Sequence, residues 1–104
     1  MRRALEGIRV ADFSHVMAGP YTTHLLRLLG AEVIKVESPT GDAMRYYGAD
    51  RRYDGMAPAF IAVNAGKKSV VLDLKQPRDL ERARRLIQRS DVLVENFRDR
   101  KSVV

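Results

Sequence analysis

Apolar residues along this chain come in short bursts, separated by loops of small, turn-forming and charged residues. The first burst, Ile8-Arg9-Val10-Ala11, closes on Asp12 and reads as a strand, Ile8–Asp12. A small-residue loop follows, and from Pro20 the pattern changes to a helical period. Tyr21, Leu25, Leu28 and Leu29 recur at i, i+4, i+7 and i+8 and are expected to form the buried face of that helix. Pro20 suits the first helical position, where its missing N–H costs nothing. Gly30 suits the left-handed stop. Glu32–Glu37 then reads as a second strand parallel to the first, and Ile8–Glu37 has the length of one βαβ unit.

Between Ser38 and Lys68 the periodicity is lost. Ser38–Asp42 is turn chemistry, Gly48–Gly55 mixes charges, tyrosines and glycines, and Ala57–Val63 alone suits a short helix. A second βαβ-like unit opens at Lys67–Leu74. It continues into a helix with Pro77 at its start and Leu80, Ala83, Leu86 and Ile87 on its buried face, and closes on Val92–Glu95. Asp79 and Glu81 near the start of this helix, and Arg84, Arg85 and Arg89 near its end, each complement the helix dipole. The expected fold is α/β: a Rossmann-like, open, mostly parallel sheet of about four strands with flanking helices, truncated after its last strand.

Composition narrows the function classes. A chain of 104 residues with 45% hydrophobic content is one small domain. It has no apolar run long enough for a membrane span, so no membrane partner is expected. Met1–Glu6 is basic, but no apolar segment follows it as a secretory signal would require. The absence of cysteine excludes disulfides, thiolate metal sites and a cysteine nucleophile, and fits a cytoplasmic protein. The net charge of +6 invites a nucleic-acid reading. Yet much of it falls on Arg78, Arg82, Arg84, Arg85 and Arg89, a solvated helix face without interleaved aromatic residues, so no nucleic acid is expected.

Parallel strands share a carboxyl edge, and open α/β sheets bind ligands in the crevice outside it. That edge collects His15, Val16, Met17 and Ala18 after the first strand, and Glu37 and Ser38 after the second. Leu72 to Lys75 follow the third, and Asn96, Phe97 and Arg98 the fourth. Lys75 is a point charge suited to a phosphate and Arg98 could add a bidentate contact; Phe97 suits either core or ligand platform. Such a set fits an extended ligand with phosphates and a flat ring. Asp12 and Asp73, at strand ends, read as turn caps; Lys67 and Lys68 read as solvated charges, and His24 as a packing or surface residue.

Five ordered blocks, Leu5–Pro20, Leu29–Glu37, Asn64–Val70, Leu72–Lys75 and Asp91–Phe97, resemble class III (CaiB/BaiF-type) CoA-transferases. That family includes formyl-CoA and carnitine CoA-transferases and the α-methylacyl-CoA racemases. The resemblance implies that residues 1–98 are the N-terminal part of a CoA-binding Rossmann-like domain. His15, Val16, Met17 and Ala18 would lie along coenzyme A near its thiol. Leu72 to Lys75 and Asn96, Phe97 and Arg98 would contact its nucleotide and pantetheine parts. Coenzyme A or acyl-CoA would be the substrate, a carboxylic acid the acceptor, and the full-length parent an interlocked homodimer. No metal site and no permanently bound cofactor is implied.

The family's chemistry is acyl transfer through an aspartate nucleophile, which the resemblance places outside this chain, so no catalytic residue is assigned within it. Ser38 stands where some members carry an arginine for the phosphates. Met17 replaces the glutamine that formyl-CoA transferases place beside the acyl group, which argues against formyl-CoA. Residues 99–104 depart from the family pattern and read as an atypical, truncation-related tail. Within the family an α-methylacyl-CoA racemase is the alternative to a transferase, and two alternatives of other classes also stay open. One is an NAD-binding dehydrogenase domain, with Glu37 as the ribose-binding acid but without a G-x-G-x-x-G loop. The other is a basic interaction module.

Overall fold

Alternating apolar residues with β-branched side chains build four short strands, and the two helical periods build helices on either side of them. The computed structural model describes residues 2–47 and 54–97. The order is β1 (Arg9–Asp12), α1 (Ala18–Leu28), β2 (Glu32–Glu37), a 3₁₀ turn (Ala43–Tyr46), α2 (Pro58–Asn64), β3 (Lys68–Val71), α3 (Pro77–Gln88) and β4 (Val92–Val94). Arg98, the 99–104 tail and part of the Gly48–Gly55 stretch lie outside the described residues.

The strands form one sheet in the order β3-β2-β1-β4, and every pairing is parallel. Val10 pairs with both Val33 and Val92, so β1 lies at the centre. The second βαβ-like unit spans the whole sheet. β3 and β4 are at opposite edges, so the connection through α3 crosses over β2 and β1 rather than joining neighbours. The chain therefore winds one way from β1 to β3 and the other way to β4. Its topological switch point lies between β1 and β4.

Both faces of the sheet are covered, as parallel sheets require. On one face Ala11, Phe13, Val36 and Leu72 pack with Leu80, Ala83, Leu86 and Ile87 of α3. On the other Val10, Ala31 and Val33 pack with Leu26 of α1 and with Leu5 and Ile8. Gly30 takes φ +111 where the chain leaves α1, a conformation that disfavours any side chain.

The stripe expected to be the buried face of α1 is not buried. Tyr21, Leu25, Leu28 and Leu29 are all more than 40% exposed; the buried residues of the helix are Pro20 and Thr23, with Leu26 partly buried beside them. The helix is rotated by what β1 offers it. Asp12, at the end of β1, accepts a hydrogen bond from Thr23 at 2.7 Å, which pulls the polar edge of α1 toward the sheet.

Candidate functional site

Strand alternation sends Asp12, Lys35 and Glu37 to the α1/α2 side of the sheet, at its carboxyl end, where an apolar layer would otherwise continue. All three are buried, and each is matched. The Lys67 side chain reaches Asp12 at 3.1 Å, Asn64 Oδ1 at 2.7 Å and the Pro20 carbonyl at 3.0 Å. Lys35 pairs with Asp42 at 3.0 Å and donates to the Ser14 carbonyl at 3.0 Å. Arg45 grips both oxygens of Glu37 at 2.7 Å, and its guanidinium lies 4.1 Å from the Phe60 ring centre.

These partners set the charge states. Burial alone would raise the Asp12 carboxyl, but hydrogen bonds from Ser14 and Thr23 and the charge of Lys67 outweigh it and hold it below its usual value. Burial also opposes ionisation of Glu37. The Arg45 fork, the Asp42 N–H and Ser69 overcome that opposition and bring it down to about 2.

The network fixes the loop that leaves β1. Asp12 accepts from the Ser14 N–H at 3.0 Å and from the Ser14 hydroxyl. The Val16 N–H donates to the two Asp42 oxygens at 3.1 and 3.2 Å. Between them, His15 is tied to the segment that follows β4: its N–H donates to Asn96 Oδ1 at 3.1 Å, and Asn96 Nδ2 donates to its carbonyl at 2.8 Å. Val16 itself has φ +70, an outlier for a β-branched residue that costs of order 1–3 kcal/mol and persists only where the surroundings impose it.

At the carboxyl edge of the sheet the loop opens onto a cleft of about 160 Å³, whose lining includes Phe13, His15, Val36, Leu72, Lys75 and Phe97. The His15 ring lies 5.5 Å from that of Phe97, tilted by 44°, and Phe13 meets Phe97 edge to face at 6.4 Å. On the far wall, Asp73 accepts the Lys75 N–H at 3.1 Å while its own N–H is held by Asp79 at 2.9 Å, so the start of α3 orders the turn that carries Lys75. Most of the lining is apolar or aromatic, and its polar rim combines Lys75 with Ser38, Asp73 and the Arg45-paired Glu37. Such a lining can accommodate an apolar stem, with Lys75 as the cation on offer to an anionic group.

The sequence profile of CoA-transferase family III matches residues 5–102. The chain belongs to CoA-transferase family III. It is 48% identical over 97 residues to a formyl-CoA:oxalate CoA-transferase of Streptomyces avermitilis, covering 93% of this chain and 24% of that protein. It is 44% identical over 98 residues to a succinyl-CoA:mesaconate CoA-transferase of Haloarcula hispanica, covering 91% and 25%. Among solved structures, a CaiB/BaiF family protein from Brucella suis superposes with a TM-score of 0.85 at 39% identity, over 93% of this chain and 26% of that one. A Mycobacterium tuberculosis protein gives 0.83 at 40% identity, over 95% and 26%. The chain thus spans about a quarter of the length of these relatives.

Of the residues expected at the site of this family III chain, four line the cleft together: His15, Leu72, Lys75 and Phe97. Asn96 serves it from behind by holding the His15 backbone. Val16, Met17 and Ala18 turn outward, exposed, and are not among its lining residues. Arg98 lies outside the described residues.

Two readings of single residues need correction. Lys67 is not a solvated charge, because its side chain is 2% exposed and paired with Asp12. Glu37 is not free to bind a ribose, because Arg45 occupies both its oxygens. Asp73 does cap a turn. Asp12 caps the Ser14 turn and also anchors the buried network. The support residues Lys35, Asp42 and Arg45 were missed, although a signal was present. Lys35 and Glu37 both occupy a strand of a parallel sheet, where both faces are covered and a charge needs a buried partner.

Proposed function

We propose that the cleft seats coenzyme A, and that the chain is the N-terminal CoA-binding part, residues 1–98, of an acyl-CoA:carboxylate CoA-transferase. The observation that carries this reading is the convergence of His15, Leu72, Lys75 and Phe97 on one cleft at the carboxyl edge of the parallel sheet. Lys75 takes a phosphate as a point charge, joined by Arg98 and by the turn from Asn96. Leu72 and Phe97 line the pantetheine stem, and the His15–Ala18 loop runs toward the thiol end.

The reaction proceeds through a carboxylate nucleophile outside this chain: an aspartate attacks acyl-CoA to give a mixed anhydride and free thiolate. The thiolate attacks the aspartyl carbonyl and expels the donor carboxylate to leave an aspartyl thioester, and an acceptor carboxylate then takes the CoA and frees the aspartate. No residue described here performs that step. The whole protein works in the cytoplasm as an interlocked homodimer on soluble acyl-CoA, with no permanently bound cofactor. Met17, with a thioether where formyl-CoA enzymes carry an amide, directs the protein to another acyl group. The relatives named above, a formyl-CoA:oxalate and a succinyl-CoA:mesaconate CoA-transferase, favour transferase over racemase.

Calorimetric titration of the chain with coenzyme A, NAD and a short oligonucleotide tests the reading. Saturable binding of coenzyme A alone is expected. Binding of NAD without coenzyme A contradicts it.

A further inference from the structure

The loop that presents His15 contains a valine in a conformation valine avoids. Val16 has φ +70, and it is half-exposed, so packing does not hold it there. What does contact it is a buried carboxylate: both Asp42 oxygens accept its N–H. Asp42 is in turn fixed from three sides. Its N–H donates to Glu37 Oε1 at 2.9 Å, its carboxylate caps Met44 N–H at 3.0 Å, and Lys35 pairs with it at 3.0 Å. The same Lys35 ammonium holds the Ser14 carbonyl, and Asn96 holds both backbone groups of His15. His15 is therefore flanked by two clamps, one on each side, and a release of Val16 to negative φ would redirect the backbone that aims its ring at Phe97.

We infer that Asp42 is a positioning residue, which with Lys35 locks Val16 in the left-handed region and thereby aims His15 into the cleft. The functional consequence rests on the coenzyme A reading above; the conformational one does not. A purely architectural role for Asp42, as the cap of the Ala43–Tyr46 turn, is the competing account, and glycine at position 16 separates the two. Glycine adopts positive φ without penalty, so it replaces a conformational clamp but cannot replace a cap.

The test combines amide exchange, aromatic NMR shifts and coenzyme A affinity. In the unaltered chain the Val16 amide is expected to exchange at least about tenfold more slowly than a free loop amide. Asp42→Asn keeps a cap acceptor but removes the charge. It is expected to shift the His15 ring signals away from their Phe97-influenced positions and to weaken coenzyme A binding by about tenfold, the size of one charge-assisted hydrogen bond. Adding Val16→Gly to Asp42→Asn is expected to restore both the ring signals and most of the affinity. Unprotected Val16 exchange in the unaltered chain overturns the inference. So does an Asp42→Asn variant with unchanged His15 signals, or a double variant that recovers nothing. Should Asp42→Asn fail to fold because it leaves Lys35 buried without its partner, the same readouts are taken on Asp42→Asn/Lys35→Met with and without Val16→Gly, and the same outcomes overturn the inference. If the ring signals behave as stated while no form of the chain binds coenzyme A, the ligand reading fails and the positioning role stands.

Discussion

Lys67 reaches Asp12 at 3.1 Å across 55 residues of sequence, and both side chains are closed to solvent. This pair joins the end of β1 to the residue that precedes β3, past the intervening β2. Removing one partner leaves the other charge buried. Lys67→Met is therefore expected to destabilise the chain by about 3–5 kcal/mol. Asp12→Asn added to it should recover part of that loss, because no unpaired charge then remains. Urea denaturation of the two variants and the unaltered chain measures both effects; a Lys67→Met loss below about 0.5 kcal/mol, typical of an unremarkable surface site, contradicts a buried pair.

Acid stability follows from Glu37. Its folded-state pKa lies near 2 against a usual 4.5, so the folded state binds this proton less readily than the unfolded state. The stabilisation is fully present above about pH 4.5 and is lost as pH falls toward 2. Asp12, also held below its usual value, acts in the same direction at the acid end. Melting temperature is thus expected to fall steeply between those limits, and Glu37→Gln to remove much of the slope while lowering stability at neutral pH. An unchanged slope in Glu37→Gln would show that Arg45 does not hold this carboxylate.

Gly19 meets Ser14 so closely that an added Cβ would overlap the Ser14 side chain, which Asp12 holds in place. Gly19→Ala is expected to cost roughly 1–3 kcal/mol by overpacking and to displace the loop toward His15. Thermal melts read the first effect, and the shift of the Ser14 and His15 amide signals reads the second. A variant with native melting and native shifts contradicts this close approach.

The exposed stripe of α1 predicts a different kind of outcome. Leu25 and Leu28 are 42% and 53% exposed, so Leu25→Glu and Leu28→Glu should change stability by no more than about 0.5 kcal/mol. They should also reduce binding of a hydrophobic dye and raise solubility, since the stripe is a contiguous apolar surface. Strong destabilisation by either substitution would mean that the stripe is packed within the chain after all.

The fold was legible because its strands and helices are announced locally. β2 falls on the Glu32–Glu37 expected from its alternation, and Pro77 begins α3 as its restricted φ suggests. The choice of the carboxyl edge for a candidate site followed from parallel strands alone, and four of the residues expected there line one cleft. What was not legible depended on distant partners. Periodicity identified the apolar stripe of α1 but not its direction, which the Thr23–Asp12 hydrogen bond sets. Lys67 looked solvated because its partner lies in another strand. Val16 gave no signal, because a valine in left-handed backbone is imposed from outside by Asp42.

The central claim, that the carboxyl-edge cleft seats coenzyme A, is tested most directly by titrating the isotopically labelled chain with coenzyme A while following individual NMR signals. The account predicts saturable shifts confined to the His15 and Phe97 rings, the Leu72 methyls and the amides from Asp73 to Lys75, with weaker binding in Lys75→Ala. Saturable shifts elsewhere with these signals unmoved would contradict it, as would shifts at these positions on adding NAD and none on adding coenzyme A.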